Sequence, residues 1–303
     1  MLLLGGPTAS GKSELAVALA ERFDAEIVCA DSRQIYRGMP VGTAAPTPGQ
    51  LARVPHHLCG FLDPYERYSA ARFAQDALAA IESVAARGKR IIVTGGTGFY
   101  LRALCGDVAL SPAFDGPLRS RLAREFALHP PDFMYGWLAA RAPARAAAVV
   151  PGDRYRVARA LEIALCEGGV EPEPPPGRCS LRAAGIPFAK VWLEIPDDAL
   201  DARIAARVDA MLAQGLLEEA ERIGPRAVAA DAVGYPQALA YLAGWSTLDE
   251  LRSLLARATR RYAKRQRTWS RSEAGVAFYA YDDAAGVALE AEQQLGWRRA
   301  GCP

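Results

Sequence analysis

No Cys-x-x-Cys pair occurs in the sequence. The six cysteines, Cys29, Cys59, Cys105, Cys166, Cys179 and Cys302, are irregularly spaced. That spacing argues against a zinc site and against a disulfide framework, and a reducing compartment is expected. Long apolar runs are also missing, since nothing approaches the roughly 20 residues that span a bilayer. The opening Met1-Leu2-Leu3-Leu4-Gly5-Gly6 is apolar, but it is too short for the core of a signal peptide and carries no basic segment. A soluble, intracellular protein without a membrane partner is expected. A charge excess is lacking too: 36 Lys and Arg face 34 Asp and Glu, a formal net charge of +2. Global charge therefore names no partner, and local charge must carry that argument. There is no low-complexity tract and no internal repeat.

What is present suffices for a large core. About half of the 303 residues, 51%, are hydrophobic, enough for one large domain or two unequal ones. The first third alternates short apolar strands with helices. Strands are read at 2–4, 27–30 and 91–94, with helices at 12–22 and from Ser69, as cap, to Arg87 before Gly88. This order predicts an α/β fold with a parallel, doubly wound sheet. From about Ser111 strand signals fade and Arg/Ala-rich helical segments run to about Gly168. The Pro-rich stretch 171–177 suits neither a helix interior nor a central strand and is read as a linker. Residues 189–195 return as a strand. The expected organisation is a P-loop NTPase-like core from residues 1–110 and 179–303, interrupted by a helical insertion at 111–178.

Two later helices matter for function. The one after Asp197 has apolar Leu200, Ile204 and Val208 on one face, with Arg203 and Arg207 beside it. The last long helix, about 248–272, carries Arg252, Arg257, Arg260, Arg261, Lys264, Arg265, Arg267 and Arg271. Its apolar stripe of Leu251, Leu255, Ala258, Tyr262 and Trp269 can dock on a core. Five of the cations, Arg257 to Arg265, recur at steps of three and four on one side. So dense a stripe repels itself, and a nucleic-acid backbone would relieve it.

Gly6-Pro7-Thr8-Ala9-Ser10-Gly11-Lys12-Ser13 fits the P-loop pattern between a strand and a helix. Backbone N–H groups can turn toward phosphate oxygens, Lys12 adds a point charge, and the Ser13 hydroxyl can ligate Mg²⁺. The following helix aims its positive end at the same anion. Such a loop indicates a polyphosphate without saying which. Asp31 follows the second strand, at the sheet edge where α/β ligands bind. Its carboxylate could accept a proton or help orient Mg²⁺. Thr97 lies between glycines at the end of another strand, where backbone can approach a ligand closely. His56 and His57 have no further ligand at metal spacing and are read as structural.

With these motifs in order, the sequence resembles the tRNA dimethylallyltransferases, also called tRNA isopentenyltransferases. The resemblance rests on the P-loop, Asp31-Ser32-x-Gln34-x-Tyr36, Gly38-Met39, Val41-Gly42-Thr43-Ala44-x-Pro46 and Pro55-His56-His57. It continues through Gly95-Gly96-Thr97-Gly98-x-Tyr100, Arg156-x-x-Arg159-Ala160-Leu161-Glu162, the Arg203–Arg207 helix and Val233-Gly234-Tyr235. Ala263-Lys264-Arg265-Gln266-x-Thr268-Trp269 completes it, so nearly the whole chain is covered. It implies a monomeric, Mg²⁺-dependent cytoplasmic transferase that moves a dimethylallyl group from dimethylallyl diphosphate to N6 of the adenosine directly 3′ of the anticodon. The P-loop, residues Gly6, Pro7, Thr8, Ala9, Ser10, Gly11, Lys12 and Ser13, would bind diphosphate rather than ATP. The resemblance makes Asp31 the general base, sets Thr97 beside the reacting centre and places Arg207 on the diphosphate. It implies contacts to the tRNA anticodon stem-loop from Asp31, Ser32, Arg33, Gln34, Thr97, Arg119, Tyr155, Arg156, Arg159, Gly234, Tyr235, Lys264, Arg265, Gln266 and Arg271. No obligate protein partner is implied. Asp231, Pro236 and Tyr155 depart from the residue types common in the family.

Three alternatives stay open at the level of sequence. A P-loop small-molecule kinase would consume ATP, and no arginine-rich lid is evident for it. A prenyltransferase acting on free adenine nucleotides would need neither the insertion nor the basic helix. An RNA-binding protein with a vestigial P-loop would not need Lys12, Ser13 and Asp31 intact.

Overall fold

The computed structural model describes residues 1–108, 110, 116–166 and 180–300. The linker read at 171–177, the start of the insertion near Ser111, and Cys179 and Cys302 lie outside the described residues. The chain divides into two compact units. One comprises residues 1–108 and 177–303, and the other residues 109–176.

The first unit opens with β1 (Leu2–Gly5), α1 (Lys12–Phe23), β2 (Ala25–Cys29), α2 (Pro40–Thr43), α3 (Pro48–Arg53), β3 (His56–His57), α4 (Ala70–Ala86), β4 (Arg90–Gly95) and α5 (Gly98–Cys105). The second unit holds α6 (Gly116–Leu128), α7 (Pro131–Arg141), α8 (Pro143–Ala147) and α9 (Arg154–Cys166). Helices are its regular elements among the described residues, and it has its own core of Leu122, Met134, Leu138, Val157 and Leu161. The first unit then resumes with β5 (Ala189–Glu194), α10 (Asp197–Ala213), α11 (Leu216–Ile223), a 3-10 turn (Val228–Asp231), α12 (Tyr235–Leu242), α13 (Leu248–Ser270), β6 (Val276–Ala280) and α14 (Ala284–Leu295).

Six strands form one parallel sheet in the order β3-β2-β4-β1-β5-β6. Its central strands are apolar on both faces, as a sheet covered on both sides requires. Leu2, Leu4, Ile27 and Ile92 pack with Ala16, Val17 and Phe23 of α1 and with Val287, Ala288 and Ala291 of α14. A second core joins Ile35, Tyr36 and Met39 to α10, α11, α12 and α13. Ser69 caps α4, its side chain accepting from Arg72 N, where the sequence placed that helix start. Thr47 and Thr247 close capping boxes with Gln50 and Glu250 at the heads of α3 and α13.

Close approach of β2 and β4 sets the position of the residues that follow them. Ala30 N donates to Thr94 O at 2.7 Å, extending the pairing past the last ladder residue. A Cβ on Gly95 would lie 2.1 Å from the Ala30 carbonyl oxygen, so only glycine fits. Gly95→Ala is therefore expected to destabilise the fold by about 1–3 kcal/mol through backbone overpacking, read as a lower urea midpoint with an unchanged slope.

Candidate active site

Because every pairing is parallel, the loops after β1, β2 and β4 leave the sheet at one edge. That edge carries the P-loop, Asp31 and Thr97. The loop between β1 and α1 is tightly formed. Ser10 N donates to Pro7 O at 3.2 Å, and Ala9 and Gly11 take left-handed conformations with φ of 64° and 91°. Gly11 caps α1, whose helical backbone amides follow directly. Neighbouring elements brace the loop: Thr8 N donates to Gln266 Oε1 at 2.8 Å, and Arg203 Nε donates to Ala9 O at 2.8 Å.

Asp31 stands two residues beyond the end of β2. Its Oδ1 accepts from Arg33 N at 2.9 Å, which turns the chain back over the sheet edge. Thr97 caps α5. Its Oγ1 accepts from Ser32 N at 2.9 Å and lies 3.3 Å from Ser32 Oγ, binding the loop after β2 to the loop after β4. Tyr262 of α13 lines the cavity beside them, and burial and the Asp31 charge raise the pKa of its hydroxyl.

A cavity of about 230 Å³ opens among these loops. Thr8, Lys12, Ser13, Asp31, Arg207 and Tyr262 line one part of it, and Ala44, Val208, Met211, Val233 and Leu255 give it an apolar part. Burial lowers the Lys12 pKa to about 8, against the opposing pull of Asp31, with the Arg207 charge lowering it further. Arg207 is pushed down by the same desolvation, offset by Asp31. Four cations, Lys12, Arg33, Arg207 and Arg265, and two carboxylates, Asp31 and Asp231, thus line the cavity, a surplus of positive charge that favours an entering anion.

Other expected site residues are placed as follows. Gln34 lines the cavity, and its Nε2 donates to Thr43 O and Ala44 O at 3.3 and 2.9 Å. Gly234 lines it with φ of 114° at the head of α12. Lys264, Arg265 and Arg271 are exposed. Arg119, Tyr155, Arg156 and Arg159 belong to the second unit. There Tyr155 is 66% exposed, Arg156 pairs with Asp153 at 3.4 Å, and Arg159 pairs with Glu162 at 2.9 Å.

Two residues expected to contact RNA have buried side chains. The Tyr235 side chain is fully buried, its hydroxyl donating to Glu219 Oε1 at 2.7 Å. Gln266 is 5% exposed and uses both ends of its amide within the protein. Neither side chain lies on the surface. Arg33 is partly exposed but is held by Asp231, with NH1 to Oδ1 at 2.6 Å. The expected self-repulsion of the basic helix is also reduced. Acids of α10 face α13, pairing Asp209 with Arg252, Asp201 with Arg260, and Asp197 with Arg267. Arg257, Arg261, Lys264 and Arg265 remain exposed along it.

The sequence reading missed Glu219. This carboxylate, 4% exposed, accepts from Val41 N and Gly42 N at 3.0 and 2.7 Å and from Tyr235. It fixes the segment that brings Gly42, Thr43 and Ala44 to the cavity. Only its ordinary helical position shows in the sequence. His57 Nε2 lies 2.7 Å from Glu26 Oε2, and His56 Nδ1 lies 2.8 Å from Val54 O. Among the described residues, no group of three or more His, Cys, Asp or Glu could hold a metal ion. None of the described helices is long and apolar enough to cross a membrane.

Fold and cavity together define a P-loop α/β protein whose phosphate loop shares a sheet edge with a carboxylate. Residues 34–273 match the model of the IPP transferase family. The chain is 47% identical over 291 residues to a tRNA dimethylallyltransferase of Anaeromyxobacter dehalogenans, covering 94% of this chain and 97% of that one. It is 42% identical over 288 residues to the Geobacter sulfurreducens tRNA dimethylallyltransferase, covering 93% and 92%. Among solved structures, the tRNA isopentenylpyrophosphate transferase of Bacillus halodurans superposes with a TM-score of 0.69 at 33% identity, covering 97% of this chain and 95% of that one. The chain belongs to the IPP transferase family, the tRNA dimethylallyltransferases.

The lowered Lys12 pKa sets a pH dependence. The protonated amine is the form that attracts an anion, and it is lost as pH rises through about 8. Affinity for inorganic diphosphate is expected to weaken roughly tenfold between about pH 7 and 9. Lys12→Arg, which stays charged, should flatten that decline. Calorimetry across the pH range, with proton uptake measured in two buffers, checks both.

Proposed function

We propose that the protein transfers the dimethylallyl group of dimethylallyl diphosphate to N6 of the adenosine immediately 3′ of the anticodon in tRNA. The observation that carries this reading is the shared cavity: Lys12 and Arg207 for a diphosphate, the Asp31 carboxylate for an amine, and apolar side chains for a five-carbon group. Family membership supports the same reaction.

In this reading the bond between the allylic carbon and the diphosphate oxygen breaks as the bond to N6 forms. Asp31 takes the proton that N6 releases. Adenine N6 is a weak nucleophile and gains from a positioned carboxylate as positive charge develops on it. The P-loop amides, Lys12 and Arg207 stabilise the charge growing on the leaving diphosphate. Thr97, bonded to Ser32, keeps the Asp31 loop and the β4 turn in register. The oxygen donors at the site fit Mg²⁺, which is commonly held by few protein ligands together with substrate phosphates and water. Ser13 would hold it, and when bound it supplies further charge neutralisation at the diphosphate.

The adenosine belongs to a loop, so it can be unstacked and read on its edges. Ser32, Gln34 and Gly234 border the cavity on which it would converge, while Lys264, Arg265 and Arg271 supply cations for the backbone. Arg119, Tyr155, Arg156 and Arg159 of the helical unit supply further contacts to the anticodon stem-loop. The protein acts as a monomer in the cytoplasm, where its RNA substrate is.

Incubation with labelled dimethylallyl diphosphate, offering tRNA and AMP as competing acceptors, tests the reading. Label is expected in tRNA, and label in AMP alone would replace the acceptor. Phosphoryl transfer from radiolabelled ATP would instead favour a kinase. Asp31→Ala is expected to slow the single-turnover rate by ~10²–10⁴ with tRNA affinity retained. Lys12→Ala and Arg207→Ala should raise the KM for dimethylallyl diphosphate more than the tRNA Kd. Neutral substitution of Arg261, Lys264 and Arg265 together should weaken all tRNA substrates alike. It should also flatten the salt dependence by roughly 0.7–0.9 in log–log slope for each RNA phosphate that is no longer neutralised, as measured by titration over a salt series.

A further inference from the structure

Gln266 lies within the most basic helix of the chain, between Arg265 and Arg267. Lys264 and Arg265 beside it are exposed, whereas Gln266 is 5% exposed, with its inner side bordering the cavity. Its Oε1 accepts from Thr8 N at 2.8 Å, and its Nε2 donates to Gly96 O at 2.9 Å. Thr8 belongs to the phosphate loop, and Gly96 to the turn that carries Thr97. One side chain therefore ties the loop after β1 to the loop after β4, and both to α13. The fit is close, since a Cβ on Gly96 would lie 2.1 Å from Gln266 Nε2. Both backbone groups are buried where they meet this amide, and neither finds an equivalent partner if it is removed.

The phosphate loop needs such a fixture. Ala9 and Gly11 both hold positive φ, and for alanine that conformation must be imposed by its surroundings. Arg203 supplies one brace at Ala9 O, but it is exposed, and water can take its place. The Gln266 bonds are shielded from that exchange.

We infer that Gln266 is a positioning residue for the diphosphate. By holding Thr8 N–H aside and anchoring Gly96 O, it sets the remaining loop amides and Lys12 toward the anion and keeps Thr97 level with Asp31. It acts through the loop rather than on RNA, which separates it from its cationic neighbours on the same helix. The inference rests on the reading of this loop as the diphosphate site.

Gln266→Met keeps the length of the side chain and removes both bonds. Its Kd for inorganic diphosphate and its KM for dimethylallyl diphosphate are expected to rise roughly 10- to 100-fold. The Thr8 amide should exchange hydrogen faster, and tRNA affinity should stay at the wild-type value. Should that variant fail to fold by circular dichroism, Gln266→Ala takes its place, since it also removes both bonds and, like the amide, carries no charge. It should likewise speed exchange of the Thr8 amide and weaken diphosphate binding, again with tRNA affinity unchanged. Wild-type diphosphate affinity in the variant that folds overturns the inference. So does a loss of tRNA affinity with diphosphate binding intact, which returns Gln266 to the RNA surface. If the wild-type protein itself fails to bind inorganic diphosphate, the reading of the loop falls, and this inference with it.

Discussion

Parallel pairing of β1 with its neighbours is the constraint from which the rest of the site follows. Register matches Gly5 of β1 with Gly95 of β4, and Cys29 of β2 with Thr94 of β4, so these three strands end within one residue of one another. A parallel sheet cannot return the chain by a tight turn. Each strand must therefore be followed by a crossover that starts at the same edge. The phosphate loop, the Asp31 loop and the Thr97 turn are the first residues of three such crossovers. Their proximity follows from topology before any side chain is chosen.

Side chains then decide what that edge can do. Lys12 and Arg207 reach the cavity from different helices, α1 and α10, and desolvation works against the charge on each. Only one carboxylate, Asp31, appears among the influences that favour both charges. A site held in this imbalance gains most from a ligand carrying more than one negative charge. The helix that delivers Arg207 also presents Asp197, Asp201 and Asp209 to α13. α10 is thus cationic toward the cavity and anionic toward its neighbour, and it holds the basic helix in place while neutralising part of it.

Legibility in the sequence followed the range of each interaction. The phosphate loop was readable because its requirements are local: glycine at the positive φ of position 11, lysine and serine at the helix head. Strands β1, β2, β4 and β5 and the cap at Ser69 were readable for the same reason, whereas β3, two residues long, and β6 were not. Gln266 and Tyr235 carried no local sign of burial. Gln266 sits among arginines in a polar stretch, and its partners lie 258 and 170 residues away. Tyr235 follows a glycine at a helix start, which suits an exposed contact as well as a buried one until Glu219 is placed beneath it. Helical periodicity likewise showed that the α13 cations share a side, but it could not show that α10 sets acids against some of them.

The long reach of that glutamine bears on how the protein is made. Residue 8 leaves the ribosome early and its partner 258 positions later. At ~5–20 residues per second, roughly 13–50 s of synthesis separate the two. During that interval the nascent chain carries the glycines, lysine and serine of its phosphate loop without the α13 bond that locks Thr8. The phosphate loop is therefore braced at Thr8 only after α13 has been made.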